Sequence, residues 1–277
     1  MSWSPPTGVL GRIVAESMAR VAELRSDPAS TRALERRLPT APPAPSFRAA
    51  LGRDSVAVIA EVKRRSPSKG EINRSLAAPD QARAYVAGGA AAISVLTEPA
   101  HFDGSLDDLR EVSAAVPAPV LRKDFLVDEL QLIEARAAGA SAVLLIARAL
   151  SPAIMARLFG FSRELGLDSL VEVRSQPELD RALDLDAPVI GVNERDLETL
   201  EMEPHVRETL LPRIPAHVVA VAESGIREAA DVERVARLGA DAVLVGSSLS
   251  SSATPEAAVR ALAAVRRLGR GRGPGGG

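Results

Sequence analysis

The chain of 277 residues contains no cysteine. Disulfides, thiolate metal sites and a cysteine nucleophile are excluded together. Histidine is scarce as well, and His101, His205 and His217 show no ligand-like spacing, which argues against a zinc enzyme. No apolar run approaches the roughly 18 residues of a membrane span, and the N-terminus lacks a basic segment followed by an uninterrupted apolar one. A cytoplasmic protein without a membrane partner is expected. Charge of one sign is missing too: 34 basic and 36 acidic residues leave a formal net charge of −2, spread along the chain. A nucleic-acid partner needs a basic face that this distribution does not offer. Aromatic residues make up only 3% of the chain, with Trp3 the single tryptophan.

What is present is a repeat of short apolar runs and helical patterns from Val56 onward, the sign of βα units around a parallel sheet. The strand candidates are Val56 to Lys63, Ala92 to Glu98, Pro119 to Phe125, Ala142 to Ala147, Leu170 to Arg174, Val189 to Glu194, Val218 to Ser224 and Ala242 to Gly246. Eight units in a chain of this length favour closure into a (β/α)8 TIM barrel, a fold that needs about 250 residues. Glycines at Gly88-Gly89, Gly139 and Gly239 fall where left-handed helix caps are expected, each leading into the next strand.

Residues 1–50 read as an N-terminal extension, with an amphipathic helix over Gly8 to Arg25 and a proline-rich, extended segment over Leu38 to Pro45. The barrel is assigned to residues 51–268. The tail 269–277, rich in glycine and with two arginines, reads as a disordered end rather than an RNA-binding segment.

The strand ends carry the chemistry. Side chains two apart on a strand share a face, so Glu61 and Lys63 bring opposite charges into one space, costly unless a site needs them. In Leu121-Arg122-Lys123-Asp124-Phe125 the same alternation lets Lys123 face inward with Leu121 and Phe125. Glu172 shares a side with Leu170, a carboxyl among apolar neighbours that suits proton transfer or a structural ion pair with a nearby lysine. Gly191, Asn193 and Arg195 share a side of the sixth strand; Arg195 could hold a planar carboxylate, or pair with Asp196 at the surface. The last two strands end in Ala222-Glu223-Ser224-Gly225 and Val245-Gly246-Ser247, where glycine admits an anion to backbone N–H groups and serine adds a hydroxyl. Phosphate commonly binds barrels at these two loops, although each alone could be a turn with a serine cap.

The string Ile-Ala-Glu-Val-Lys-Arg-Arg-Ser-Pro-Ser-Lys-Gly, residues 59–70, resembles the signature of the indole-3-glycerol phosphate synthase family. Further matches follow in order: Ser94-Val95-Leu96-Thr97-Glu98, Phe102-Asp103-Gly104-Ser105, Leu121 to Phe125, Leu170 to Val173, Gly191-Val192-Asn193, Ala222 to Gly225 and Val245 to Ser247. The resemblance implies a phosphorylated small-molecule substrate, 1-(2-carboxyphenylamino)-1-deoxyribulose 5-phosphate, and no metal or organic cofactor. It implies that Lys123 is the general acid at the ketose carbonyl, that Glu172 transfers a proton in the dehydration, and that Glu61 and Asn193 are hydrogen-bonding partners. Lys63 resembles the lysine that contacts the anthranilate carboxylate, with Ser66 and Arg195 assisting. Pro67 and Phe102 resemble contacts around the aryl ring, and Ser224, Gly225, Gly246 and Ser247 resemble phosphate binders. A monomer or weak homodimer is expected.

Two features depart from the family's pattern. Glu194 stands where many relatives have a small neutral or amide residue; turned inward, it would oppose the carboxylate binder. The stretch Glu16 to Arg20 is less basic than is common in the family's first helix, which puts the helix's place at the barrel mouth in question. The rival readings are phosphoribosylanthranilate isomerase, whose family uses a cysteine base that this chain lacks, and a barrel that binds a phosphate ligand without turnover.

Overall fold

A computed structural model describes residues 3–38 and 44–269. Eight parallel strands close into a barrel: β1 (Ala57–Val62), β2 (Ala92–Leu96), β3 (Val120–Lys123), β4 (Ala142–Ile146), β5 (Asp168–Val173), β6 (Val189–Asn193), β7 (Val219–Glu223) and β8 (Ala242–Val245). Each pairs with its sequence neighbours and β8 pairs with β1, from Ala57 beside Ala242 to Ala60 beside Val245. The strands are almost wholly buried because their outer faces meet helices and their inner faces meet one another. All eight strands fall within or beside the segments expected from the apolar runs.

The helix-to-strand turns explain the even spacing. At Gly139 the backbone enters the left-handed region (φ 91°) and the N–H of Ala140 donates to the carbonyl of Ala135, closing the helix and turning the chain into β4. The same bond recurs from Ala90 to Tyr85 and from Ala240 to Val235.

The N-terminal segment binds both faces of the barrel. Helix α1 (Gly8–Ser26) lies across the C-terminal face, where the Ser17 hydroxyl donates to the carbonyl of Phe125 and Arg20 pairs with Glu98 and Asp124. A short helix, Phe47–Ala50, docks at the opposite face: Asp168, the first residue of β5, accepts from the Ser46 hydroxyl and the Arg48 N–H. Phe47 and Leu51 are fully buried there. Helix α2 (Pro28–Arg37) was not expected from the sequence, since its polar composition lacks an apolar stripe. Most of the proline-rich segment, and the tail beyond Gly269, lie outside the described residues.

Candidate active site

The C-terminal ends of the strands open into a cavity of about 310 Å³. Glu61, Lys63, Ser66, Pro67, Phe102 and Lys123 line it on one side; Glu172, Asn193, Arg195, Ser224, Gly225, Gly246 and Ser247 line the other. The structure therefore brings together every catalytic and substrate-binding candidate named from the sequence, while Glu194 is not among the lining residues.

Two lysines and three carboxyls form its floor. Lys63 Nζ lies 2.6 Å from Glu61 Oε1, as expected for residues two apart where β1 ends. Gly246 makes this pair possible, because a Cβ there would fall 2.3 Å from Glu61 Oε1 and 2.8 Å from Lys63 Nζ. The Ser94 hydroxyl donates to Glu61 Oε2 (3.4 Å). Burial opposes ionisation of Glu61, but the cations of Lys63 and Lys123 overcome it and hold the carboxyl below its ordinary range.

Lys123 Nζ stands 3.8 Å from Glu172 Oε2 and 4.0 Å from Glu223 Oε2. Burial would strip its proton, yet Glu172, Glu223 and Glu61 surround it and raise it above the ordinary lysine range, so it stays an ammonium. Glu223 joins this group as a cavity carboxyl not expected from the sequence. Only 1% exposed, it is pushed well above the carboxylate range by burial and then by the negative charge of Glu172. Neither of its carboxyl oxygens has a hydrogen-bond partner among the described residues, nor does Glu172 Oε2. Gly191, beside Glu172 in the β5–β6 register, leaves the space that Glu223 fills: a Cβ at 191 would fall 2.0 Å from Glu223 Oε1. The alternation that placed Lys123 and Glu172 inward also places Glu223 with Val221 and Val219.

Asn193 ties the floor to the rim. Its Oδ1 accepts from the Ser224 hydroxyl (2.8 Å) and from the Arg195 N–H (3.0 Å). Ser224 and Gly225 both adopt left-handed backbone, φ 64° and 67°. For serine this is a strained state, of a kind that collects at functional sites.

The Phe102 side of the cavity is built by a cap. Glu98 accepts from the N–H groups of Ala100, His101 and Phe102, fixing the short helix Pro99–Phe102 and setting Phe102 with its ring centroid 6.0 Å from that of Phe125. Glu16, Glu98 and His101 come within 4.8 Å of one another, but Glu98 is engaged by the cap and by Arg20, and Glu16 by His101 (2.7 Å), so the trio reads as a capped ion-pair group.

Val9 and Ile13 from α1 line the cavity, so the weakly basic first helix keeps its place at the mouth. Its start is held by Glu198, which accepts from the N–H and hydroxyl of Thr7 and pairs with Arg148. Loop one, after β1, folds into a small antiparallel hairpin, Arg65–Ser66 with Gly70–Glu71, that brings Ser66, Pro67 and Lys69 over the opening. Arg64 holds its base, donating to both oxygens of Asp108 (2.6 and 2.7 Å). Burial and the neighbouring cations of Lys63, Arg227 and Arg195 hold Lys69 below the ordinary lysine range, a sign of how positive the rim is. Glu194 turns away from the cavity and pairs with Arg207 at 2.6 Å.

A parallel barrel with buried acids and bases at the carboxyl ends of its strands defines an acid–base enzyme of the TIM-barrel class. Comparison with known proteins is more specific. The family model described as indole-3-glycerol phosphate synthase matches residues 10–262, and the chain belongs to that family. It is 50% identical over 250 residues to the indole-3-glycerol phosphate synthase of Nocardioides sp., an alignment covering 90% of this chain and 92% of that one. It is 49% identical over 257 residues to indole-3-glycerol phosphate synthase 1 of Streptomyces coelicolor, with 93% and 95% covered. Among solved structures, thiamine phosphate pyrophosphorylase from Pyrococcus furiosus superposes with a TM-score of 0.56 at 16% identity, covering 78% of this chain and 96% of that one; this likeness concerns the barrel alone.

Proposed function

We propose that the cavity performs indole-3-glycerol phosphate synthesis, with Lys123 as the acid that starts it. The substrate, 1-(2-carboxyphenylamino)-1-deoxyribulose 5-phosphate, carries an anion at each end and must bend so that ring carbon meets ketose carbon. Binding both ends performs that positioning. The phosphate goes to the Ser224–Gly225 and Gly246–Ser247 turns, and the carboxylate goes to Lys63 with Arg195. Pro67 and Phe102 flank the aryl ring.

The Lys123 ammonium donates a proton to the ketose oxygen as the carboxyl-bearing ring carbon attacks, forming the carbon–carbon bond. Carbon dioxide then leaves, and its bonding electrons restore the aromatic ring. Loss of the hydroxyl as water, with a proton taken from the neighbouring carbon, yields the indole. Glu172 transfers the proton in this last stage, and Glu223 beside Lys123, whose burial favours its protonated form, is a second donor within the same group. Glu61 orients Lys63, and Asn193 orients Ser224 and Arg195. A carbon–carbon lyase of this kind serves tryptophan biosynthesis. In this reading the working unit is a monomer or weak homodimer. No described helix is long and apolar enough to cross a membrane, and a phosphorylated metabolite as substrate fits the cytoplasm.

The observation that carries this reading is the position of Lys123, a partly buried ammonium within 4.0 Å of two carboxyls in a cavity with anion-binding turns at its rim. Mixing the protein with the substrate and following indole fluorescence tests it, helped by a background of one tryptophan. A rise is expected; a flat trace with the substrate bound would favour the barrel that binds without turnover.

A further inference from the structure

Behind the Ser224–Gly225 turn lies a charged pair that the chemistry above does not use. Arg207, from the helix His205–Leu210, forks: Nη2 lies 2.6 Å from Glu194 Oε2, and Nη1 donates to the carbonyl of Ser224 (3.0 Å). Both side chains are buried, Glu194 at 2% and Arg207 at 7% exposure. The carboxylate sits against Gly225, where a Cβ would fall 1.9 Å from Glu194 Oε1. On the cavity side, the Ser224 hydroxyl is held by Asn193. The turn is thus gripped from both sides while its two residues hold left-handed backbone, which a serine leaves readily unless it is restrained.

A buried ion pair is poor evidence of stabilisation, since desolvation of the two charges can exceed their attraction. Burial here pushes Glu194 up and Arg207 down, each toward its neutral form. What the pair does supply is a fixed point under the turn. We propose that Glu194 and Arg207 are positioning residues that hold the Ser224–Gly225 turn in its anion-binding conformation and so set affinity for the substrate's phosphate. This rests on the reading of that turn as a phosphate site. Glu194, the residue that departs from the family pattern, therefore supports binding from behind and does not oppose it.

The probe is inorganic phosphate, measured in two ways: as a competitive inhibitor and by the amide shift of Gly225. Glu194→Gln keeps the side chain's shape and removes the charge that holds Arg207, and Arg207→Lys keeps the charge and removes the fork. Both should raise KM and the phosphate inhibition constant together by about tenfold, the scale of one hydrogen bond to a charged group, with kcat kept. A lower melting temperature or a lower active fraction, with the phosphate constant unmoved, would mean that the pair is only structural and would overturn the proposal. If a single variant does not fold, the double variant Glu194→Gln, Arg207→Gln removes both charges at once and leaves no unpaired buried ion. The same rise in the phosphate constant is expected from it, and an unmoved constant counts against the proposal. Should phosphate neither compete nor shift Gly225 in the unaltered protein, the phosphate reading of the turn fails, and the positioning role fails with it.

Discussion

Lys123 remains charged although burial opposes it because Glu172, Glu223 and Glu61 surround it, and its cation in turn lowers Glu61 and offsets part of the rise at Glu223. Removing one member should therefore disturb the others. Lys123→Ala should lower turnover by about 10²–10⁴-fold, the usual scale of general acid catalysis, as read by steady-state assay at saturating substrate. Glu223 gives a separate signature. Its pKa is higher folded than unfolded, so the folded state binds more protons between the two values, and stability falls as pH rises from the ordinary carboxylate range through the raised one. Glu223→Gln should flatten that part of the profile in denaturant titrations at a series of pH values. An unchanged slope would mean that Glu223 is not held protonated. Glu61, held low, acts in the opposite sense: its contribution is present above the ordinary range and lost as pH falls through the lowered value.

At the scale of elements, loop one is held by its base more than by its tip. Arg64 grips Asp108, and the N–H groups of Ile72 and Asn73 donate to the Arg64 carbonyl, while the hairpin between them pairs over only two residues on each side. A short hairpin on an anchored base suits a cover that closes over a bound substrate. Arg64→Ala should destabilise the protein by on the order of 1–3 kcal/mol, the scale of hydrogen bonds to charged groups. It should also speed hydrogen exchange across residues 64–73, with substrate binding slowing it again. Exchange there that is unaffected by either change would refute the cover.

Much of this was legible in the sequence, for definable reasons. Strands buried on both faces are written as runs of Val, Ile, Leu and Ala, and period-2 alternation fixed which way Glu61, Lys123, Glu172 and Asn193 point. The same rule applied to β7 would have found Glu223; it was hidden within a motif read only for its serine and glycine. The outward turn of Glu194 also follows from alternation with Asn193 and Arg195. Its partner did not, because Arg207 arrives from a short helix beyond an irregular loop, where no periodicity links the two. Helix α2 was missed because its polar composition carries no apolar stripe.

As a whole molecule, the barrel gathers one site from all eight strand ends and covers it with its own N-terminal helix. Specific activity should stay constant on dilution into the low nanomolar range; a fall would mean that association completes the site. The central claim, that this cavity converts its substrate by way of Lys123, is tested most directly by single turnover. Substrate labelled in its carboxyl carbon is mixed with excess protein, and the labelled gas and the product are followed together. The unaltered protein should release one labelled carbon dioxide for each indole-3-glycerol phosphate formed, while Lys123→Ala binds substrate and leaves it almost unconverted. Equal conversion by the variant, or binding without conversion by the unaltered protein, would contradict the account.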